Sequence, residues 1–205
     1  MATKLDADPI PVYGLTGQDA TNQTPRFMSW TFEDIPLIVC GMYAPFNNPD
    51  VRNRSEEVNT FYADVIPYLQ QLLKLAKRDK TSVALVGDIQ VAPTTLDETD
   101  NADPNGPGST ESERNHFQSL IKLGLTDVFR HLHPDTRQYT ARARYGAKTD
   151  SPNQYVSKRI DHILVNSTIE PVSITIDNKP TFSDHSPITA TLSIFQPKQK
   201  TPRLN

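Results

Sequence analysis

Three short segments of the chain place an aspartate where an apolar, strand-like run meets a loop. Asp88 follows the run SVALVG, Asp161 stands near the start of the run IDHILVN, and Asp184 with His185 precedes the last apolar run. Several carboxylates and a histidine suit a site that binds a divalent cation and activates water. Because each segment alone is more typical of a turn, the prediction of a site depends on all three occurring together.

The strands that would position these residues follow from the hydrophobic pattern. Residues 35–42 and 82–86 are apolar runs typical of buried strands, and residues 27–32 alternate as an edge strand does. Further strands are predicted over residues 138–143, 159–166, 172–177 and 188–195. The segment 97–113 is polar and rich in Pro and Gly, which predicts a mobile loop.

Two helices are predicted between these strands. A period near 3.6 residues indicates a long helix with Ser55 as its N-cap, which Pro67 should kink or divide. Thr110 and Glu113 form a capping-box pattern, so a second helix is expected over residues 111–123. The order of elements, with several strands in succession at the end, favours an α/β sandwich over a regularly alternating doubly wound sheet.

Length and composition restrict the class of protein. A chain of 205 residues suits one domain, expected over residues 27–196 between an irregular segment at 1–26 with at most one short strand and a tail at 197–205. The net charge of −3 gives no overall attraction for nucleic acid, so DNA binding would need a local basic patch. The single Cys40 is expected to be buried. With no signal peptide or membrane span in the sequence, an intracellular protein, nuclear or cytoplasmic, is expected.

The strings GDIQ, RIDH and SDHSP, in this order, resemble the signature strings of the endonuclease/exonuclease/phosphatase superfamily of exonuclease III-like enzymes. The string YAP at residues 43–45 and VAPTTLD after GDIQ extend the resemblance to about residues 27–195. The resemblance implies a DNase I-like α/β sandwich of two packed mixed β-sheets flanked by helices. It also implies metal-dependent hydrolysis of phosphodiesters, with Mg²⁺ as cofactor and Mn²⁺ as its alternative.

Within this superfamily, the run LGLTDVFRHLHPDTRQYT at residues 123–140 is most similar to the non-LTR retrotransposon endonucleases. That branch nicks DNA, and its endonuclease is joined to a reverse transcriptase domain in the full-length product. Abasic-site enzymes carry a Trp just before the Arg-X-Asp string, whereas this chain has the run Tyr155-Val156-Ser157-Lys158. The difference argues against specificity for abasic sites.

The resemblance assigns roles to individual residues. His185 matches the general base or phosphate-polarising histidine, and Asp161 the carboxylate that holds its ring in the useful tautomer. Asp88 matches the aspartate that positions or deprotonates the attacking water, and Asp184 matches a metal ligand. Tyr43 matches the tyrosine whose hydroxyl binds the phosphate.

Two further residues are predicted to bind substrate. Gln90 stands where the family has Asn, and its amide can still donate to a phosphate oxygen, although the longer side chain moves that amide. Arg159 belongs to a basic cluster that would track a nucleic-acid backbone or form a solvated strand face. The cluster consists of Arg137, Arg142, Arg144, Lys148, Lys158 and Arg159.

Two strings of the family pattern are not found in this sequence. The resemblance places an Asn, and then a Glu that binds the metal, before the Tyr-X-Pro string, and neither is recognisable in residues 1–42. A truncated domain that lacks its first strands is therefore expected. Two alternatives to a DNA endonuclease stay open: an inactive or binding-only module of the same fold, and a phosphatase acting on a lipid or inositol phosphate.

Overall fold

A central β-sheet carries the predicted site, and layers of other elements cover both of its faces. The computed structural model describes residues 7–10, 26–32, 34–48, 52–143, 155–179 and 182–195. The helices are α1 (Arg54–Asp79), α2 (Glu111–Lys122) and α3 (Val128–Leu132). The strands are β1 (Ala7–Ile10), β2 (Phe27–Phe32), β3 (Leu37–Tyr43), β4 (Ser82–Asp88), β5 (Leu125–Asp127), β6 (Ala141–Ala143), β7 (Val156–Lys158), β8 (Asp161–Asn166), β9 (Ile169–Ile176) and β10 (Ile188–Ile194).

The central sheet has six strands in the order β1-β2-β3-β4-β8-β5. Strands β3 and β4 pair in parallel, and the other neighbours pair antiparallel, so the sheet is mixed. β1 takes the outer position, and the prediction that residues 27–32 form the edge strand is therefore wrong. β4 lies between β3 and β8, which brings the ends of three strands together where Asp88 emerges.

Successive residues of β4 face opposite layers, as the alternation of a strand requires. Val83 and Leu85 pack in a core cluster with residues of α1 and α2, such as Val65 and Leu120. Ala84 belongs to a second cluster, formed with the sheet of β9 and β10. The expected architecture of packed sheets and helices is confirmed. Cys40 is buried as expected, and burial raises the pKa of its thiol to about 11.

The first helix differs from its prediction in two respects. α1 is continuous through Pro67, because Pro67 and Ala63, whose carbonyl loses its helical donor, both face solvent. Its N-cap is Asn53, in the left-handed conformation, and the Ser55 hydroxyl instead donates to Oδ1 of Asn47. The second helix is confirmed, since Thr110 and Glu113 form the predicted capping box at the start of α2.

The polar segment at residues 97–113 is folded into the protein, contrary to the prediction of a mobile loop. Asp97, Glu98 and Ser109 are buried, and each has a charged partner brought from elsewhere in the chain. Glu98, for example, forms a 2.8 Å ion pair with Arg114 of α2. Among the described helices, none is both long enough and apolar enough to cross a membrane.

Candidate active site

Three of the predicted site residues lie side by side on three neighbouring strands. Tyr43 at the end of β3 is the register partner of Asp88 at the end of β4, and Asp88 is the partner of Asp161 at the start of β8. Residues directly opposite each other in a sheet project from the same face. Gly87 allows this close approach, because its φ is +136° and a Cβ there would lie 2.0 Å from the Met42 carbonyl oxygen.

His185 reaches this group from the loop that precedes β10. Its Nδ1 lies 2.8 Å from Oδ2 of Asp161, and its side chain is 34% exposed. The hydrogen bond that His185 donates to Asp161 raises the pKa of His185 to about 9. Burial opposes this rise, and the negative charges of Asp161 and Asp88 add to it. The structure thus forms the predicted histidine–aspartate pair and leaves part of the imidazole accessible.

Asp88 is the most perturbed carboxylate of the group. Burial and then the negative charge of Asp161 raise the pKa of Asp88 to about 7, and the charge of His185 and hydrogen bonds from Gln90 oppose the rise. The Gln90 backbone N–H donates to Oδ1 of Asp88 at 3.1 Å, and its side-chain amide donates to Oδ2 at 2.5 Å. In this structure the Gln90 amide therefore orients Asp88, and its predicted contact with substrate stays a prediction.

The same side chains are suited to a divalent cation. Ligand atoms of Asp88, Asp161 and His185 all lie within 4.8 Å of one another. The two carboxylates repel each other, as the raised pKa of Asp88 shows, and a cation between them would relieve that repulsion. Carboxylate oxygens are preferred ligands of Mg²⁺ and Mn²⁺. Asp184 is exposed and is not part of this three-residue group, so its assignment as metal ligand stays a prediction.

Tyr43 is accessible beside the carboxylates. The residue is 55% exposed, and the guanidinium of Arg26 lies 5.2 Å from the centre of its ring. This placement leaves the Tyr43 hydroxyl available to a phosphate at the edge of the site, next to a positive charge.

Thr140 joins the segment that carries Asp161 to the segment that carries His185, and no role was predicted for it. Its hydroxyl accepts hydrogen bonds from the backbone N–H groups of Ile160 at 3.0 Å and Asp161 at 3.1 Å. Its carbonyl accepts the N–H of Ser186 at 2.6 Å, next to His185. The residue is fully buried. The sequence gives no distinguishing signal for this role, because a threonine in the predicted strand at residues 138–143 is also what ordinary strand propensity favours.

Replacing Thr140 by valine should therefore disturb both segments. We expect a loss of about 1–3 kcal/mol in the free energy of unfolding, because two backbone N–H groups lose their acceptor. We also expect any phosphodiester hydrolysis at this site to fall about tenfold, because the Asp161–His185 pair shifts. Urea unfolding and a nicking assay would measure both effects. Thr140→Ser keeps the hydroxyl and should keep the activity; equal loss in both variants would contradict this role.

Arg159 was predicted to bind substrate, and the structure contradicts this. Its side chain is 1% exposed, with Nε 2.8 Å from Oδ1 of Asp97 and an Nη atom 2.8 Å from Oδ2 of Asp127. Another Nη lies 3.0 Å from Nδ1 of His162, whose Nε2 lies 2.9 Å from the Val91 carbonyl oxygen. A guanidinium whose donors are committed to buried acceptors cannot reach a substrate. Arg159 instead holds together the segments around the site.

The structure also changes the interpretation of the other residues in the predicted basic cluster. Arg144 and Lys148 lie outside the described residues. Lys158 is buried at 8% exposure, which removes it from any surface that tracks a phosphate backbone. Among the described members, Arg137 and Arg142 stay exposed, and Arg137 forms an ion pair with an exposed aspartate. Within the described residues, the local positive patch is thus smaller than the sequence suggested.

Comparison with known proteins relates this geometry to nucleases. No family model matches the chain. The exodeoxyribonuclease of Bacillus subtilis is 27% identical over 193 residues, which cover 89% of this chain and 69% of that protein. The exodeoxyribonuclease of Streptococcus pneumoniae strain TIGR4 is 32% identical over 168 residues, which cover 80% of this chain but only 58% of that protein.

A solved structure supports the same relationship at the level of the fold. The AP endonuclease of Archaeoglobus fulgidus superposes with a TM-score of 0.70 at 20% identity, over 91% of this chain and 72% of that one. The chain is thus similar in sequence to two exodeoxyribonucleases and in fold to an AP endonuclease.

Proposed function

We propose that this chain hydrolyses phosphodiester bonds in DNA and that Mg²⁺ or Mn²⁺ is its cofactor, held by Asp88 and Asp161. The cluster of Asp88, Asp161 and His185 at the end of three adjacent strands is the observation that carries the proposal. The relatives named as exodeoxyribonucleases support DNA as the substrate. When bound, the cation would neutralise charge on the phosphate and lower the pKa of the attacking water.

The raised pKa of His185 favours one of its two possible roles. In the metal-free protein the imidazole has a pKa of about 9 and is protonated at neutral pH, and a protonated imidazole does not accept a proton from water. It can instead donate a hydrogen bond to a phosphate oxygen and stabilise the negative charge that develops there. Asp161 keeps the ring in place through the 2.8 Å hydrogen bond to Nδ1. We therefore assign His185 the phosphate-polarising role.

Asp88 is better placed to orient the attacking water. Its raised pKa of about 7 belongs to the metal-free protein, and a cation held beside Asp161 would favour the ionised form, which accepts hydrogen bonds from water. The two hydrogen bonds from Gln90 fix the orientation of this carboxylate. Tyr43, the register neighbour of Asp88, would donate its hydroxyl to the phosphate.

Removing the metal tests the proposal most directly. We expect the purified chain to nick supercoiled plasmid with Mg²⁺ or Mn²⁺, to stop when EDTA is added, and to resume when excess cation is restored. Gel separation of supercoiled and relaxed circles measures this. A chain shown to be folded by circular dichroism that nicks no plasmid at any Mg²⁺ or Mn²⁺ concentration would contradict the proposal and favour an inactive module.

The retrotransposon type of endonuclease is our finer proposal, with a reverse transcriptase domain as partner in the full-length product. The run at residues 123–140 supports it. The Lys158 ammonium, at the position before Arg-X-Asp, donates to the Pro107 carbonyl and the Ser109 hydroxyl at 2.6 Å each, so no aromatic ring stands there to contact an abasic sugar. A closed circular plasmid has no ends for an exonuclease, so plasmid nicking tests for an endonuclease. Cutting of an abasic oligonucleotide in preference to intact DNA would contradict the retrotransposon type.

A further inference from the structure

A groove of about 920 Å³ lies directly beside the catalytic loop, and no role has yet been given to it. Its lining includes Arg142, Tyr155, Phe182 and Asp184. Phe182 and Asp184 belong to the same loop as His185. The backbone N–H of Arg142 donates to the Asp184 carbonyl at 2.9 Å, which fixes one wall of the groove to the catalytic loop. Whatever occupies this groove would therefore be continuous with a phosphate held at His185.

Phe182 is the most exposed large apolar side chain in the described part of the protein, at 89% exposure. A single exposed hydrophobic residue on a surface is ordinary and needs no function. This one, however, stands three positions before His185 and at the wall of a groove that also contains arginine. An aromatic ring in that place offers a flat face to whatever part of the substrate lies next to the reacting phosphate.

Arg142 provides the matching positive charge. Its guanidinium lies 4.0 Å from the centre of the Tyr155 ring, in a cation–π arrangement. This contact restricts a long, exposed side chain, so less conformational entropy would be lost when the arginine binds a phosphate. The groove thus combines a fixed cation with an exposed aromatic ring, the two groups that proteins use to bind single-stranded nucleic acid.

We propose that Phe182 stacks on an unpaired base next to the scissile phosphate, while Arg142 binds a neighbouring phosphate of the same strand. In a duplex, both faces of an internal base are covered by the adjacent base pairs, so the Phe182 ring can stack only on a base outside the helix. The groove therefore selects DNA in which the strand beside the cut is unpaired, such as a single-stranded extension. This inference rests on the proposed function, because DNA must be the ligand.

Binding to two DNA probes without metal tests the inference apart from hydrolysis. The probes are a fluorescein-labelled blunt duplex and the same duplex with a single-stranded extension, measured by fluorescence anisotropy in EDTA. We expect Phe182→Ala to weaken binding of the extended probe about tenfold, within the range for one base stacked on an aromatic side chain, and to leave the blunt duplex unchanged. Phe182→Tyr should bind both probes as the wild type does.

Two controls identify the cause of any change. Phe195→Ala removes another exposed phenylalanine, 58% exposed, from the opposite end of β10, and should change neither affinity. Arg142→Gln should weaken the binding of both probes and reduce the slope of the salt dependence of binding by about 1.

The outcomes separate the inference from the proposed function. If the wild type binds and nicks DNA but Phe182→Ala binds the extended probe normally, the inference is wrong and the nuclease stands. If the wild type binds neither probe and nicks nothing, the proposed function and the inference both fail. If Phe182→Ala weakens the binding of both probes equally, the Phe182 ring contacts DNA without selecting an unpaired base. That outcome would overturn the proposed selectivity for unpaired DNA.

Discussion

Replacing His185 by alanine is expected to reduce plasmid nicking by about 10²- to 10⁴-fold while leaving the fold intact. His185 is partly exposed on a loop, so its removal opens no cavity in either core cluster. The loss would come from the donor that the protonated imidazole offers to the phosphate. Nicking rates under saturating Mg²⁺, with thermal unfolding of both proteins, measure the effect on chemistry and on stability separately.

Asp161→Asn provides a second readout of the same pair. Because the carboxylate of Asp161 is the main cause of the raised pKa of His185, that pKa should fall from about 9 towards the ordinary value of about 6.5. A proton NMR titration of the His185 ring in metal-free buffer would show the change, which a purely structural role for Asp161 would not produce. Nicking should fall with it.

His131→Ala is the matched control, since His131 is an exposed histidine on α3 outside the cluster. It should nick plasmid at the wild-type rate. Full nicking by the His185→Ala protein would refute the assignment of the site, whatever the pKa of the histidine in the wild type.

The position of the site at strand ends could be predicted because local patterns specify it. The apolar run that ends at Gly87 and Asp88 forms β4, and its side chains pack in core clusters on both faces of the sheet, as a buried strand requires. The side-by-side register of Tyr43, Asp88 and Asp161 has no such local signal, because it depends on which strands become neighbours. Only the resemblance to a known family brought these residues together in advance.

The sequence did not predict which charged residues are buried. Arg159 looked like a surface cation because charged residues are seldom fully buried without partners. Its partners, Asp97 and Asp127, lie 62 and 32 positions away in the chain, beyond any periodicity. The same partners explain why the segment from residue 97 is folded, although its composition resembles that of a mobile loop. A buried ion-pair network thus caused both errors.

That network gives the largest expected effect on stability. Replacing Arg159 by leucine should lower the free energy of unfolding by about 3–5 kcal/mol, because Asp97 and Asp127 lose the buried cation that they share, and only Arg130 remains paired with Asp97. A domain is commonly stable by only about 5–15 kcal/mol, so the variant should be close to unfolding at room temperature. Urea unfolding at neutral pH measures the loss. Arg137→Leu breaks an exposed ion pair with Asp100 and should leave the midpoint unchanged.

The pH dependence of this loss distinguishes missing charge from missing packing. Burial alone would raise the pKa values of Asp97 and Asp127. Arg159 lowers the pKa of Asp97, and His162 together with Arg159 lowers that of Asp127, so both lie below the ordinary value. A lowered folded-state pKa stabilises the wild type above the unfolded value of about 3.9, and this contribution is lost as pH falls through the folded-state pKa. In the leucine variant, both pKa values should lie higher than in the wild type, because Asp97 keeps only Arg130 and Thr94 as partners and Asp127 keeps only His162 and backbone N–H groups.

The gap in stability between wild type and Arg159→Leu should therefore be widest near pH 7 and should narrow as the pH falls below about 4. Unfolding curves of both proteins across that range measure the gap. A gap that keeps the same size at every pH would mean that Arg159 stabilises the fold through the packing of its side chain. The buried charges would then not be what joins the segment from residue 97 to the strand that carries Asp161.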